Sequence, residues 1–516
     1  MASIFKLLET LRPILEYLNN DKKTLYSCIL VNRTWCRIAV PILWRAPFKN
    51  LLPIRQSGLI STFIGCLDDD ASIEKLKLFE DFPLEILKIP TFDYASFLHE
   101  LQFSSLYDAV NFWCKGQDLD RYQNEEGDIV FYPVKTILEM LIEQFMEKST
   151  NLSKLSIPVI THREGDFISL KKHEMMVRKR LPNISYLDCD DCIIENLKIA
   201  SEACTNLSRL DIDCSWGNDE YVSKLLRVQS RLQHLTVIKR CPDLKNAIND
   251  GDLRRSLRCI VFQDNRNYID NGGSLNVLAS CKRLEILRFD YWLPFRENDM
   301  KELVSNSFPR LRKLSFTHCM PKADIIINMI LTNGFSLQEL TFSLSWYDRP
   351  TNVIKTIADN CPNLTYLDVP FARTDLESFR ELLRSCKNLE SLTIKTLSDR
   401  RELSYDIDHF LPIIGAAIPK SLDQFNIFVR WTFTVESLRN FLMKDCKNDL
   451  RRLGFLGNIN DDHLEVIKTY AYERNSLKYL ELRSCETSFE ARKSARKYID
   501  VAAYDSFGKK IAQQEN

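Results

Sequence analysis

Glycine is scarce in this sequence, with 14 residues in a chain of 516. Loops that wrap phosphate groups need glycine so that bare backbone N–H groups can close on the ligand. Neither G-x-x-x-x-G-K-[ST] nor G-x-G-x-x-G occurs. The same shortage excludes glycine-rich flexible linkers. No apolar run reaches the ~18–20 residues that span a bilayer. Met1–Asp21 mixes charges among its apolar residues and lacks the uninterrupted hydrophobic stretch of a signal peptide, so a cytoplasmic or nuclear location is expected. A surplus of charge is missing too: Lys plus Arg and Asp plus Glu both number 70. That balance leaves no global field to attract nucleic acid or an anionic membrane, and neither is expected as a partner. The seven histidines are scattered, without H-E-x-x-H, so no catalytic residue, metal or cofactor is assigned.

What the chain does have is a repeat. Cys361–Val369 reads C-P-N-L-T-Y-L-D-V, and the form L-x-x-L-x-[LIVF] returns from Leu284, Leu311, Leu337, Leu389 and Leu477. The anchors, taken as the first Leu or Ile of each copy, are Leu152, Ile184, Leu207, Leu232, Leu257, Leu284, Leu311, Leu337, Leu364, Leu389, Leu422, Leu450 and Leu477. Their steps run from 23 to 33 residues, and most lie between 25 and 28. Self-similarity at such a period marks a solenoid of leucine-rich repeats. The L-x-L alternation predicts a strand with one apolar side. The remainder of each unit, such as Asp375–Leu383, is helical in pattern. Asp70–Leu78, anchored on Ile73, and Leu98–Phe103 fit the same frame. Asp118–Gly127 reads as a polar surface loop and Val134–Lys148 as an amphipathic helix.

The expected class is α/β: a small helical domain over residues 1–48, then a horseshoe with a parallel concave sheet and helices on the convex side. Residues 49–150 are expected to hold a linker and degenerate repeats, 151–485 the regular repeats, and 486–516 a cap and polar tail. Sixteen cysteines largely follow the frame: Cys204, Cys281, Cys361 and Cys386 precede an anchor, while Cys319 and Cys485 follow a strand. In a reducing compartment free cysteine packs as a small hydrophobe.

The first 48 residues form a separate unit. Leu11, Ile14, Leu15 and Leu18 recur at helical spacing, then Asn19-Asn20-Asp21 breaks the pattern. Leu25, Cys28, Ile29, Val31, Trp35 and Ile38 make a second amphipathic stretch, followed by Pro41 and then Ile42, Leu43 and Trp44. So few residues cannot bury every apolar face, and such a unit packs on a partner. The runs Glu9-x-Leu11-x-x-Ile14-x-x-x-Leu18, Val31-Asn32-Arg33-x-Trp35 and Leu43-Trp44 resemble the F-box, although Lys6-Leu7 stand where the family opens with Leu-Pro and Pro13 lies inside the first helix. Cysteines around the repeats are similar to the cysteine-containing repeat subtype that accompanies an F-box. The resemblance implies a substrate-recognition subunit of an SCF-type ubiquitin ligase that binds the Skp adaptor, and through it cullin and a RING subunit. It is non-catalytic and leaves its target, an unknown protein, to the repeats. By the family's pattern the adaptor-docking residues, or the support of that face, are Leu11, Ile14, Leu18, Val31, Trp35, Leu43 and Trp44, with Trp35 and Trp44 open to a purely internal role. A repeat scaffold outside any ligase and a hydrolase with a dispersed site are the alternatives.

Smaller signals are weighed on the repeat background. Four of five N-x-[ST] sequons are the repeat's own N-[LI]-x frame, and Cys189-Asp-Asp-Cys192 has no further ligands at metal spacing. Lys171–Arg180 reads as a solvated basic helix face, with a nuclear signal or phosphate contact as the other option. Positions three, five and seven of each copy face away from the packed core. They include Asp188, Asp190, Asp211 and Asp213, then Arg288, and then Tyr366 and Asp368. Strands ~4.8 Å apart would gather the four aspartates into one patch. That patch is either a solvated surface or a site for a basic ligand, with a metal the remote option.

Overall fold

In the computed structural model, a strand begins two residues after every regular anchor. The structure describes residues 10–49, 53–77, 82–83, 85, 90–117, 119, 122–123, 129–131, 133–157, 170–190, 192–213, 219–239, 244–250, 252–263, 275–291, 297–319, 321–343, 352–396, 404–446, 448–457, 459–505 and 508–511. It forms two compact units, Met1–Leu253 and Arg254–Asn516.

The first unit carries the parallel ladder β1 (Glu100–Gln102), β2 (Lys154–Ser156), β3 (Tyr186–Cys189), β4 (Arg209–Asp213) and β5 (His234–Ile238). The second carries β6 (Cys259–Gln263), β7 (Ile286–Asp290), β8 (Lys313–Thr317), β9 (Glu339–Phe342), β10 (Tyr366–Phe371), β11 (Ser391–Thr396), β12 (Gln424–Phe428), β13 (Arg452–Leu456), β14 (Tyr479–Arg483) and β15 (Asp500–Tyr504). These too are parallel, each paired with the next. Helices return the chain from strand to strand, for example Leu376–Ser385, which buries Phe379, Leu382 and Leu383. Both units are leucine-rich-repeat solenoids.

Register follows from the repeat itself. Leu287, Leu314, Leu340, Leu367 and Leu392 are aligned on successive strands and buried. Phe262, Phe289 and Phe316 stack with ring centroids 5.2 and 5.1 Å apart and planes 10° apart. The residue after most anchors offers its carbonyl to two amides of the next copy. Arg258 accepts from Glu285 and Ile286, and Glu285 from Arg312 and Lys313. A ladder built this way satisfies the backbone groups that burial strips of water. The cysteines in the frame belong to the packing: Cys204, Cys281, Cys319, Cys361 and Cys386 are buried. Burial pushes the thiols of Cys204 and Cys386 up to about 12 and that of Cys281 to about 11, so they stay neutral.

Two expectations are revised. Asp70–Lys77 is a helix, not a repeat strand. Ile73 and Leu76 are three apart, a spacing that also lies along one helical face. Asp69 accepts from the Ser72 amide at 2.6 Å, and the acid-first, lysine-last order suits the helix dipole. Beyond Glu486 the ladder continues by one strand, β15, where Val501 and Ala503 stand in for leucines. The helix Arg33–Leu43 runs through Pro41. Val134–Lys148 is helical as expected, within Pro133–Lys148. The loop Asp118–Gly127 lies outside the described residues except for 119 and 122–123, and Lys6-Leu7 lie outside them as well. No described helix is long and apolar enough to cross a membrane.

Asp375 gives a pH test of the second unit. It is buried and accepts the Ala372 amide at 2.9 Å, and burial lifts its carboxyl from 3.8 to about 6. Between those values the folded chain binds the extra proton, so this group's contribution falls as pH rises through the window and stays unfavourable above it. Asp375→Asn, which keeps an acceptor for Ala372, is expected to raise the melting temperature by roughly 2–4 °C at neutral pH. In melts run across pH the gain should vanish near pH 4.

Candidate functional site

The N-terminal unit is built from a helix over residues 10–16, α1 (Lys22–Ile29) and α2 (Arg33–Leu43). Asp21 caps α1 through the Thr24 amide at 3.0 Å. Asn32 caps α2, accepting from Thr34 and Trp35 at 2.9 and 3.0 Å. That is the physical role of the asparagine in the V-N-R-x-W run: its side chain starts the second helix. Leu11, Leu15, Leu25, Cys28, Ala39 and Ile42 form the core, and Leu18, Ile29, Trp35, Ile38 and Leu43 pack against it.

The seven residues named from the F-box resemblance therefore separate. Leu11 is buried in the core, and Leu18, Trp35 and Leu43 are half-buried on it. Trp44 lies between Phe63 and Tyr94, with ring centroids 5.3 and 4.2 Å away. It packs the helical unit against the segments that precede the ladder, the helix Pro53–Gly65 and the turn Tyr94–Phe97. Ile14 and Val31 remain more than half exposed, and so do Tyr17, Tyr26 and Leu30. Those last three were missed, although Tyr17 is three residues from Ile14 and Leu30 four from Tyr26, on helical turns whose other positions fill the core. Five large apolar side chains in residues 14–31 are left in water.

The joint to the repeats is specific. The Arg45 carbonyl accepts the amides of His99 and Glu100 at 2.8 and 3.1 Å, the same double acceptance that links successive repeats. The Arg45 guanidinium grips both oxygens of Glu16 and holds that carboxyl below its ordinary value. Lys22 donates to the carbonyls of Ala46, Pro47 and Lys49. The helical unit is thus fixed to the start of the ladder and leaves Ile14, Tyr17, Tyr26, Leu30 and Val31 outward.

The second candidate surface is the helix-free face of the sheets. The aspartate patch read from the sequence is not a set of four exposed charges. Asp213 is buried with Lys239 at 2.6 Å. Asp211 is buried beneath Arg209 at 2.9 Å and accepts the Tyr186 hydroxyl at 2.7 Å. Asp188, in register with Asp211, accepts from Ser156 at 2.8 Å and from the Asp190 amide. Burial raises its carboxyl above the ordinary value. Asp190 is exposed. The repulsion expected between bare carboxylates is met by cations and donors within the fold.

In the second unit Arg288 is exposed and paired with Asp290 at 2.6 Å. Tyr366 stands partly open to solvent, and Asp368 pairs with Lys395 at 2.7 Å. The basic run 171–180 is a solvated face tied down by ion pairs: Lys172 to Glu139, and Arg178 to Glu174 and Glu202. Cys189 and Cys192 are both buried, and a hydrogen bond between them together with burial keeps the Cys189 thiol neutral. Among the described residues no group of three His, Cys, Asp or Glu side chains is placed to hold a metal ion.

No family model matches the chain, and no curated protein matches it. Solved structures do. Rad7, in its complex with Elc1 from yeast, is 14% identical, with 84% of this chain and 92% of that one covered at a TM-score of 0.42. TLR13 in complex with ssRNA13 is 15% identical, with 66% and 44% covered at 0.38. The leucine-rich repeat-containing protein LegL7 from Legionella pneumophila is 11% identical, with 61% and 89% covered at 0.28.

Proposed function

We propose that this chain is the non-catalytic substrate-recognition subunit of an SCF-type ubiquitin ligase, acting in the cytoplasm or nucleus. Residues 14–31 dock the Skp adaptor, which connects to cullin and RING subunits. The helix-free face of the repeats holds the target. The observation that carries the reading is the exposed apolar set Ile14, Tyr17, Tyr26, Leu30 and Val31 on a helical unit whose own core is already filled. Apolar surface that serves no internal contact marks an interaction site. The F-box resemblance supplies the class of partner.

The chemistry asked of the chain is proximity. A target lysine held near a ubiquitin-charged enzyme reacts at a raised effective concentration, and no residue of the receptor need touch the reacting atoms. Rigid attachment serves that purpose, and the Arg45 joint supplies it within the first unit. Immobilised Skp adaptor is expected to retain the purified full-length chain. A folded chain that passes through unretained overturns this reading and leaves a repeat scaffold.

A further inference from the structure

Charges on the helix-free face of β10–β14 lie in layers. Asp368, 15% exposed, pairs with Lys395, 34% exposed, at 2.7 Å. Glu481, 17% exposed, pairs with Arg483, 45% exposed, at 2.7 Å. Asp290 lies deeper than its partner Arg288 in the same way. In the first unit Asp211 lies beneath Arg209 and Asp213 beneath Lys239. Lys313 and Glu339, about equally exposed, depart from the pattern. Side-chain length is the cause. A short aspartate ends close to the sheet, while lysine and arginine stems reach past it and keep their heads in water. Formal charges balance, yet the layer that meets solvent is cationic.

Two features sharpen this on β12–β14. Arg452 has no carboxylate partner among the described residues, and its guanidinium lies 4.3 Å from the Tyr479 ring centroid. Phe428 lies against Gly454, where a Cβ would stand 2.9 Å from the ring, so only glycine leaves room for it. The Arg483 guanidinium sits 3.8 Å from the Phe428 centroid. A ring and a carboxylate therefore hold Arg483 before any ligand arrives, which lowers the ordering cost of binding.

Lys395 and Arg483 stand on β11 and β14, three strand steps or ~14 Å apart. That is about the reach of four residues of extended chain. We propose that this face binds an acidic, extended segment of the target protein. Carboxylates four residues apart meet Lys395 and Arg483, and Arg452, four residues before the Leu456 that is level with Arg483, adds positive charge farther along the same face. The proposal rests on the receptor reading and names the class of target. A nucleic acid fits less well: each strand of a duplex carries a phosphate every ~3.4 Å, far denser than cations ~14 Å apart.

The test uses the purified full-length chain without adaptor, so it fails or succeeds independently of adaptor docking. A fluorescein-labelled Ser/Gly peptide with glutamate at every fourth position is titrated by anisotropy at low salt, beside its lysine counterpart and an oligo-dT of equal length. The glutamate peptide is expected to bind at least ~10-fold more tightly than either, because charge complementarity sets partner choice. Arg452→Glu, which uncouples no ion pair, is expected to weaken it at least ~5-fold. Arg483→Gln should weaken it too, with a thermal melt reporting whether the fold survives. Absence of glutamate-peptide binding, equal or tighter binding of the lysine peptide or oligo-dT, or no effect of Arg452→Glu overturns the proposal.

Discussion

Val31→Asp is expected to lower affinity for the Skp adaptor at least ~100-fold while leaving the melting temperature of the free chain unchanged. Val31 follows α1, lies more than half in water and is absent from the core made by Leu11, Leu15, Leu25, Cys28, Ala39 and Ile42. Burying an apolar side chain of this size contributes about 1.5–3 kcal/mol. An aspartate there loses that gain and must shed its own hydration, which costs several kcal/mol more. Even the lower figure plus a modest penalty exceeds the ~2.7 kcal/mol that separates a 100-fold change. Exposed substitutions outside special features usually alter stability by within about 0.5 kcal/mol. Calorimetric titration and a thermal melt of the same sample separate the two effects. Leu15→Asp provides the contrast: Leu15 is buried, so the unit itself should unfold.

Phe289→Ala should destabilise the second unit by about 3–5 kcal/mol. Its ring is fully buried between those of Phe262 and Phe316, in register on β6, β7 and β8. Removing it opens a cavity against two neighbours at once. Each repeat of a solenoid draws its stability from the copies beside it, so the loss reaches beyond one strand. Urea unfolding followed by circular dichroism reads the change as a lower midpoint. Phe335→Ala, by comparison, removes a ring that is 75% exposed and should leave the midpoint where it was.

The ladder was legible because one constraint repeats: every copy must place a leucine at the anchor and apolar residues at alternate strand positions to close the same core. Thirteen anchors each led to a strand two residues on. Legibility ended where that constraint has a second solution. Ile73 and Leu76 satisfy the strand frame and a helical face alike, and the charge order across Asp70–Lys77 selected the helix. It also ended at β15, whose alanines carry no leucine signal.

On the interaction surfaces, spacing identified which residues face out but not how deep each lies. Leu11 and Ile14 are equally good candidates by period, yet one fills the core and the other is left in water. Asp211 and Asp213 face the open side of the sheet, but Arg209 and Lys239 cover them. Part of that layering was written in R-x-D and E-x-R pairs two residues apart on one strand: Arg209/Asp211, Arg288/Asp290 and Glu481/Arg483. Cross-strand partners such as Asp368 and Lys395 needed the register.

The central claim is that residues 14–31, and not the sheet, dock the adaptor. Hydrogen–deuterium exchange of the full-length chain with and without purified Skp adaptor tests it most directly. Protection is expected in the peptides covering residues 10–31, with the strands β6–β15 unchanged. Unaltered exchange across residues 10–31 at saturating adaptor, or protection that falls on the sheet strands instead, would contradict it.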